Sequence, residues 1–452
     1  MGEQALAAII LAAGQGTRMK SDLHKVLHPV AGLPMLHHLL ASFDAVGAAR
    51  QVVVVGARRE QVEASVAGRA VDTAHQAEQL GTAHAALQAR EALADFDGVA
   101  IVCFGDTPFL KPQTIRSLTE RLNAPDAPRV AVLGFVPDDA KAYGRIIASG
   151  DGTISKMVEF KDASEEERAV RLCNSGVTAV RTGDLWSLLA RVGNDNAAGE
   201  YYLPDIVTLA IADGDRAVVV TTDADELIGI NSRSELADAE GIWQARRRAQ
   251  AMADGATLIA PETVWFAHDT LVGRDVVIEP NVMFGPGVTI ADNVTIHAFS
   301  HLEGATIASG CSVGPFARLR PGAEMQAGAK VGNFVEMKKA VLGPGAKASH
   351  LTYLGDATVG ANANIGAGTI TCNYDGYFKY QTVIGDGAFI GSNSSLIAPV
   401  KIGRDAIVAA GSAVSRDVAD GELRMVRSEQ LVKPGWADRF HDAMRRRKRE
   451  GK

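Results

Sequence analysis

Short apolar runs rich in β-branched residues recur through the first half of the chain: AAIILAA at 7–13, QVVVVGA at 51–57, GVAIVCFGD at 98–106 and RVAVLGFV at 129–136. Helical stretches lie between them, near 35–46, 82–93 and 113–122. Buried strands alternating with helices predict a mostly parallel α/β sheet. Ligands of such sheets bind beyond the carboxyl ends of the strands, so the residues just after each strand carry the most information. Residues 232–254 have no strand signal and read as a connecting amphipathic helix, with Leu236, Ala239 and Trp243 on one face.

The pattern then changes. Large apolar residues recur every six positions: Val272, Ile278, Phe284, Ile290, Ile296, Leu302. The phase slips by one and resumes at Ile307, Val313, Leu319, Met325, Val331 and Met337; Leu342, Ala348, Leu354, Val359 and Ile365 follow. After a polar and aromatic break at 371–382 (TCNYDGYFKYQT) the series returns as Ile384, Ile390, Leu396, Ile402, Val408 and Val414. A period of six fits neither an α-helix nor a long strand. It marks a hexapeptide parallel β-helix, in which each coil buries one apolar residue per side. The break reads as a loop on one face, and the basic tail HDAMRRRKREGK as a mobile end.

Composition narrows the function. The 452 residues carry a net charge of −7 and only 6% aromatics, so neither nucleic acid nor an anionic membrane is an expected partner of the chain as a whole. Cys103, Cys173, Cys311 and Cys372 form no C-x-x-C pair, which signals neither a disulfide framework nor a zinc cluster. The apolar run at 5–13 follows Glu3 rather than a basic stretch and ends in glycines, as a buried strand does and a signal peptide or membrane span does not. A cytoplasmic protein is expected.

The first strand runs into GQGTRM at 14–19. Met19 stands where a dinucleotide fingerprint needs its third glycine, and no Walker lysine follows. Such a turn can be an ordinary strand-to-helix connection. It also suits an anion, because glycines let backbone N–H groups approach a phosphate and Arg18 supplies a charged fork. The segment LAAGQGTRM with Lys25 in HKVL, then QAEQLGTAHA at 76–85 and FGDTPFL at 104–110, resembles the sugar-1-phosphate nucleotidyltransferase signature. Joined to a hexapeptide β-helix, nearly the whole chain resembles the family of bacterial bifunctional N-acetylglucosamine-1-phosphate uridyltransferases / glucosamine-1-phosphate acetyltransferases.

The resemblance implies an α/β Rossmann-like nucleotidyltransferase domain at 1–231, a linker helix at 232–254, and an all-β left-handed parallel β-helix at 255–452. It implies that Leu11, Ala12, Ala13, Gly14, Gln76, Gly81 and Thr82 hold the uridine nucleotide. A side-chain amide such as that of Gln76 can both donate to and accept from a uracil edge. By the same resemblance Arg18 and Lys25 hold phosphates, Gly144, Glu159, Asn174 and Asn231 hold the sugar, and Asp106 and Asn231 bind Mg²⁺. Phe104 and Gly105, in the F-G-D segment, would also line the nucleotide site; many relatives carry Tyr at the position of Phe104, and the lost hydroxyl should not touch metal binding. A lone Asp at this place can be a turn or capping residue before Pro108, but after a strand in this motif the metal-ligand reading is favoured.

In the β-helix the resemblance makes His350 the base that deprotonates the amine of glucosamine 1-phosphate as it attacks acetyl-CoA. An imidazole is suited to this near neutral pH. Arg320 and Lys338 would hold the sugar phosphate, and Tyr353, Asn364, Asn373 and Tyr374 would orient the sugar. Ala367, Ser392, Ala410 and Arg427 would contact acetyl-CoA. Cys372 could form an acetyl-enzyme, but nothing nearby marks a lowered pKa and a bystander is the simpler reading. The run 445–449 is a solvated tail or, less simply, a contact for CoA phosphates or acidic partners.

The implied product, UDP-N-acetylglucosamine made from UTP and N-acetylglucosamine 1-phosphate with release of pyrophosphate, is a cell-envelope precursor. A rival reading keeps the nucleotidyltransferase and makes the β-helix an oligomerisation module only. The family resemblance also implies a homotrimer. The aromatic insertion carrying Asn373, Tyr374, Tyr377 and Tyr380 is expected to project and complete a neighbouring chain's acetyltransfer pocket.

Overall fold

A computed structural model describes residues 4–140 and 143–451; Glu3, read above as the residue preceding the first strand's apolar run, lies outside them. The chain divides into two compact units, Met1–Arg247 and Arg248–Lys452.

The first unit is built on a twisted mixed sheet. Its strands lie in the order Ala217–Thr221, Val130–Phe135, Cys173–Arg181, Val99–Phe104, Leu6–Ala12, Arg50–Val55, Asp72–His75. Every neighbouring pair along this path is parallel except those made by Cys173–Arg181, which runs antiparallel to both neighbours. Leu6–Ala12 is buried along its full length, as its unbroken apolar sequence predicts. The chain steps from it to Arg50–Val55 on one side and later to Val99–Phe104 on the other. The crevice between the carboxyl ends of Leu6–Ala12 and Val99–Phe104 is therefore the topological switch point, where ligands of open α/β sheets bind.

The expected helices form at Met35–Ala45 and Pro112–Leu122. The one expected at 82–93 is shorter: an α-helix at Thr82–Leu87 tightens into a 3₁₀ turn at Gln88–Arg90. The helix Arg233–Ala253 does more than connect. Its Leu236, Ala239, Ile242 and Trp243 pack with Val30, Met35, Phe109 and Ile230 of the first unit.

The second unit is a parallel β-helix whose hexapeptide repeats are consistent with a left-handed coil. The hexad residues separate into three columns, one per face. Ile278, Ile296, Val313, Val331, Ala348, Ile365, Ile390 and Val408 stack on the first. Phe284, Leu302, Leu319, Met337 and Leu354 lie on the second, and Ile290, Ile307, Met325, Leu342 and Val359 on the third. All of these are buried. The one-residue phase slip is a shortened coil: Thr295 pairs with Ser312, 17 residues on, whereas Val277 pairs with Thr295, 18 on.

The break in the hexads is smaller than the sequence suggests. Thr371 is fully buried and pairs with Leu396. It fills the missing hexad position because its hydroxyl is satisfied by the Gly355 N–H at 2.8 Å and the Gly355 carbonyl at 3.1 Å. The chain leaves the coil only after Cys372 and rejoins it at Thr382. The expected mobile tail is also different: Trp436–Arg449 is an α-helix. Its Trp436, Phe440 and Met444 recur at helical spacing, a period that reading the charge run alone conceals.

Candidate active sites

In the first unit the site begins where Leu6–Ala12 ends. Gly16 has φ 61°, and a Cβ there would lie 2.6 Å from Cβ of Lys25, so the turn excludes a side chain both conformationally and sterically. That close approach brings Lys25 under the turn. A cleft of about 270 Å³ opens beside it, lined by Leu11, Ala12, Ala13, Gly14, Lys25, Gln76, Gly81, Thr82, Phe104 and Asp106. Ten of the residues assigned above to nucleotide and metal thus share one concave surface. Gly105 ties the two strands beneath it through its N–H to the Leu11 carbonyl at 2.9 Å. Gln76 is buried and donates to the Gly81 carbonyl at 3.1 Å, with its amide 3.0 Å from Nδ1 of His84.

Asp106 and Asn231, 125 residues apart in sequence, converge on one cation. The Lys25 ammonium donates to Oδ2 of Asp106 and, at 3.0 Å, to Oδ1 of Asn231. Asn231 is held by Glu235 Oε2, which accepts its N–H at 2.8 Å, and the Ile230 N–H donates to the Asp106 carbonyl at 3.0 Å. Two oxygens gathered about a positive point fit Mg²⁺, which takes one or two protein oxygens and fills its remaining positions with water and phosphate.

Gly144, Glu159 and Asn174 form a neighbouring group. The Asn174 N–H donates to the Gly144 carbonyl at 2.9 Å, and Oε1 of Glu159 lies 3.2 Å from where a Cβ on Gly144 would stand. Burial pushes the Glu159 carboxyl up from its ordinary pKa, and the Asp205 and Asp162 charges add to the shift. Arg18 stands exposed on the turn Thr17–Met19.

Several residues at this site escaped the sequence reading. Gln79 donates to the Ala13 carbonyl at 2.8 Å and lines the cleft with Glu200 and His24. Lys20 and Arg58 line an adjoining cavity against Gln15 and Gly16. Gln79 and Lys20 lie inside or beside the quoted motifs; Glu200 and Arg58 arrive only through tertiary folding.

The second site lies on the β-helix. His350 ends the strand Lys347–His350 and is exposed. Its Nδ1 is 2.6 Å from Oδ1 of Asn333, its register partner in the coil below. With an oxygen as acceptor, Nδ1 carries the proton and Nε2 keeps its lone pair. Asn333 was not singled out, although the spacing of one coil could have found it.

The same corner continues coil by coil as a row of small residues. The Gly368 N–H donates to the His350 carbonyl at 3.3 Å, Asn393 to Ala367 at 2.7 Å, and Gly411 to Ser392 at 2.8 Å. Arg427 Nη1 reaches the Ala410 carbonyl at 3.2 Å. The residues assigned to acetyl-CoA thus form a continuous edge from His350 to Arg427.

The cations gather nearby. Arg320 is paired with Glu336 at 2.8 Å. Lys338 faces Lys379, whose ammonium holds its pKa below the usual lysine range. Lys379 lies in the insertion and was missed. Tyr353 is the register partner of Glu336, and its hydroxyl sits 2.3 Å from where a Cβ on Gly355 would be, so only glycine lets the ring fold over the strand. Asn364 follows on the next coil as partner of Lys347.

The insertion needs one correction. Asn373 does not project: it is buried and donates to Oδ2 of Asp356 on its own chain at 2.5 Å. Tyr380 is partly buried and donates to Asp375 at 3.0 Å. Tyr374, Tyr377 and Phe378 are the exposed part.

Comparison with known proteins agrees with both halves. A MobA-like NTP transferase domain matches residues 8–150, and the bacterial transferase hexapeptide repeat matches 269–304 and 381–416. Relatives named bifunctional protein GlmU match end to end. One from Sphingopyxis alaskensis is 67% identical over 98% of both chains, one from Novosphingobium aromaticivorans is 70% identical over 99% of both, and one from Zymomonas mobilis is 56% identical over 98% of both. A nucleotidyltransferase unit joined to a hexapeptide β-helix, matched at this identity along its whole length, belongs to the GlmU family of bifunctional proteins.

Proposed function

We propose that the β-helix acetylates glucosamine 1-phosphate with acetyl-CoA, and that the N-terminal unit transfers UMP from UTP to the resulting N-acetylglucosamine 1-phosphate. The products are UDP-N-acetylglucosamine and pyrophosphate. The observation that carries the first activity is the Asn333–His350 pair at the foot of the small-residue edge ending in Arg427. A β-helix used only for oligomerisation has no need of it.

In acetyl transfer, His350 Nε2 takes a proton from the neutral amine as its nitrogen attacks the thioester carbonyl, the C–S bond breaks, and the same proton passes to sulfur so that CoA leaves as the thiol. Lys338, Lys379 and Arg320 hold the sugar phosphate, and the row Ala367, Ser392, Ala410 lets the pantetheine arm lie against the backbone. In uridyl transfer, a phosphate oxygen of the sugar attacks the α-phosphorus of UTP and pyrophosphate departs. That step joins two anions, so catalysis is mainly positioning and charge neutralisation. Asp106 and Asn231 would hold Mg²⁺, which supplies part of that neutralisation. Lys25, beside these oxygens, would hold the phosphates, and Gln76, Gly81 and Thr82 the uridine.

The active form is a homotrimer in this reading. Phe299, Phe316 and Phe334 occupy left-handed backbone positions at one corner of successive coils and stack at 5.0 and 5.1 Å while remaining about half exposed. This ladder and the exposed Tyr374, Tyr377 and Phe378 support burial against other copies. A cytoplasmic location accords with four free cysteines and with the use of UTP and acetyl-CoA. No helix among the described residues is long and apolar enough to cross a membrane.

The test is a pair of assays on the purified full chain: thiol release from acetyl-CoA with glucosamine 1-phosphate, and pyrophosphate release from UTP with N-acetylglucosamine 1-phosphate. Pyrophosphate release without thiol release would leave the β-helix a purely structural module.

A further inference from the structure

The helix Trp436–Arg449 buries none of its residues. Trp436, Phe440 and Met444 stand on one face, a turn apart, 51%, 43% and 37% exposed. The Trp436 and Phe440 rings stack at 5.2 Å. By helical periodicity, Lys448 and His441 border this stripe on one side and Arg439 and Arg446 on the other, with Arg447 in its last turn. Asp438 and Asp442 fall on the opposite face, where Arg445 lies 3.6 Å from Asp442. Residues 433–452 hold eight Lys or Arg against three Asp or Glu, a net of +5 in a chain of net −7, so the other 432 residues sum to −12.

We propose that this helix docks on the surface of a bilayer bearing anionic headgroups, lying in the interface with Trp436, Phe440 and Met444 turned inward. The stripe is apolar and open, and cations flank it on both sides. Their stems can follow the rings inward while their heads meet lipid phosphates. The two aspartates point away from that surface. The acidic body would be repelled by the same lipids, so attraction is confined to the tail. At 14 residues the helix is about 21 Å long, enough to lie in the interface and too short to span it. An acidic protein would satisfy the charge but gives no reason for the aromatic stripe between the cations.

The test uses the full chain with sedimenting vesicles, either of phosphatidylcholine alone or of equal parts phosphatidylcholine and phosphatidylglycerol. Binding is expected to the second at low salt, at least about tenfold weaker to the first, and to fall steeply as salt rises. Each basic residue near an anionic surface contributes about fivefold. R439E/R446E should therefore cut partitioning by on the order of a hundredfold or more. W436A/F440A should lose at least about tenfold and keep the salt dependence. Uridyltransfer by both variants should match the parent, which checks the fold. The proposal is overturned by absence of binding to the anionic vesicles, by equal binding to both compositions, or by variants that bind like the parent. A change in oligomeric mass of W436A/F440A without lipid would also overturn it, because a second copy would then be what covers the stripe.

Discussion

Oδ1 of Asn333 lies 2.6 Å from Nδ1 of His350, 17 residues and one coil away. The pair fixes the imidazole by its Nδ1 and leaves Nε2 free; in the proposed acetyltransfer His350 is the base and Asn333 its positioning residue. His350→Ala should lower acetyltransfer about 10²–10⁴-fold and spare uridyltransfer. Asn333→Ala should lower kcat for acetyltransfer by a smaller factor with little change in KM. Asn333→Asp places a carboxylate beside the ring and should move the acidic limb of the kcat/KM profile to higher pH, since a nearby negative charge favours the imidazolium. An unmoved profile in Asn333→Asp would remove the assigned role.

Asp106→Ala should abolish uridyltransfer and leave acetyltransfer intact, because the point where Asp106 and Asn231 meet Lys25 loses its one carboxylate. Titration with Mg²⁺ supplies a second readout. Asn231→Ala, which keeps that carboxylate, should retain some activity with a raised Mg²⁺ requirement. Full uridyltransfer by Asp106→Ala would show that the metal is held elsewhere.

Lys379 faces Lys338 and lowers its pKa. Two ammonium groups held together repel unless an anion lies between them, as a sugar phosphate would. Lys379→Ala should raise KM for glucosamine 1-phosphate by roughly 10-fold or more, in line with a charge-assisted hydrogen bond worth about 1.5–3 kcal/mol. KM for acetyl-CoA should stay near the parent value, a split that steady-state kinetics with each substrate varied in turn would reveal.

The parts of this protein that were legible in its sequence are those set by short-range periodicity. The hexads named the buried columns of the β-helix almost residue for residue, because one side chain per face per coil leaves no other arrangement. Thr371 was hidden because it fills an apolar position with a polar group that hydrogen-bonds to Gly355. Motif residues such as Gly14, Gln76 and Asp106 were legible because they follow strands, and the cleft gathers them. Lys379 and Arg58 were not, since each takes its place from a loop that local pattern does not reveal, whereas Asn333 lies one coil period before His350 and needed only that spacing to be applied. Asn373 misled for a related reason: its segment is aromatic and exposed, but its own amide turns inward to Asp356.

His24 gives a prediction about stability. It is 1% exposed, its Nε2 has no hydrogen-bond partner, and it lines the nucleotide cleft beside Lys25. Burial first, then the charges of Lys25 and Arg58, lower its pKa from 6.5 to about 4. In the folded chain it stays neutral down to that pH, whereas in the unfolded chain it takes a proton below about 6.5. Between these values the unfolded state binds more protons, so the contribution is fully present above pH 6.5 and is lost as pH falls toward 4. The shift corresponds to something on the order of 3 kcal/mol. His28 and His37, lowered in the same sense mainly by burial, steepen the fall. Urea unfolding at pH 7.5 and pH 4.5 should show a large loss of stability in the parent and a smaller loss in His24→Gln, which cannot titrate. Equal losses in the two proteins would mean that His24 is already protonated, or solvated, in the folded state.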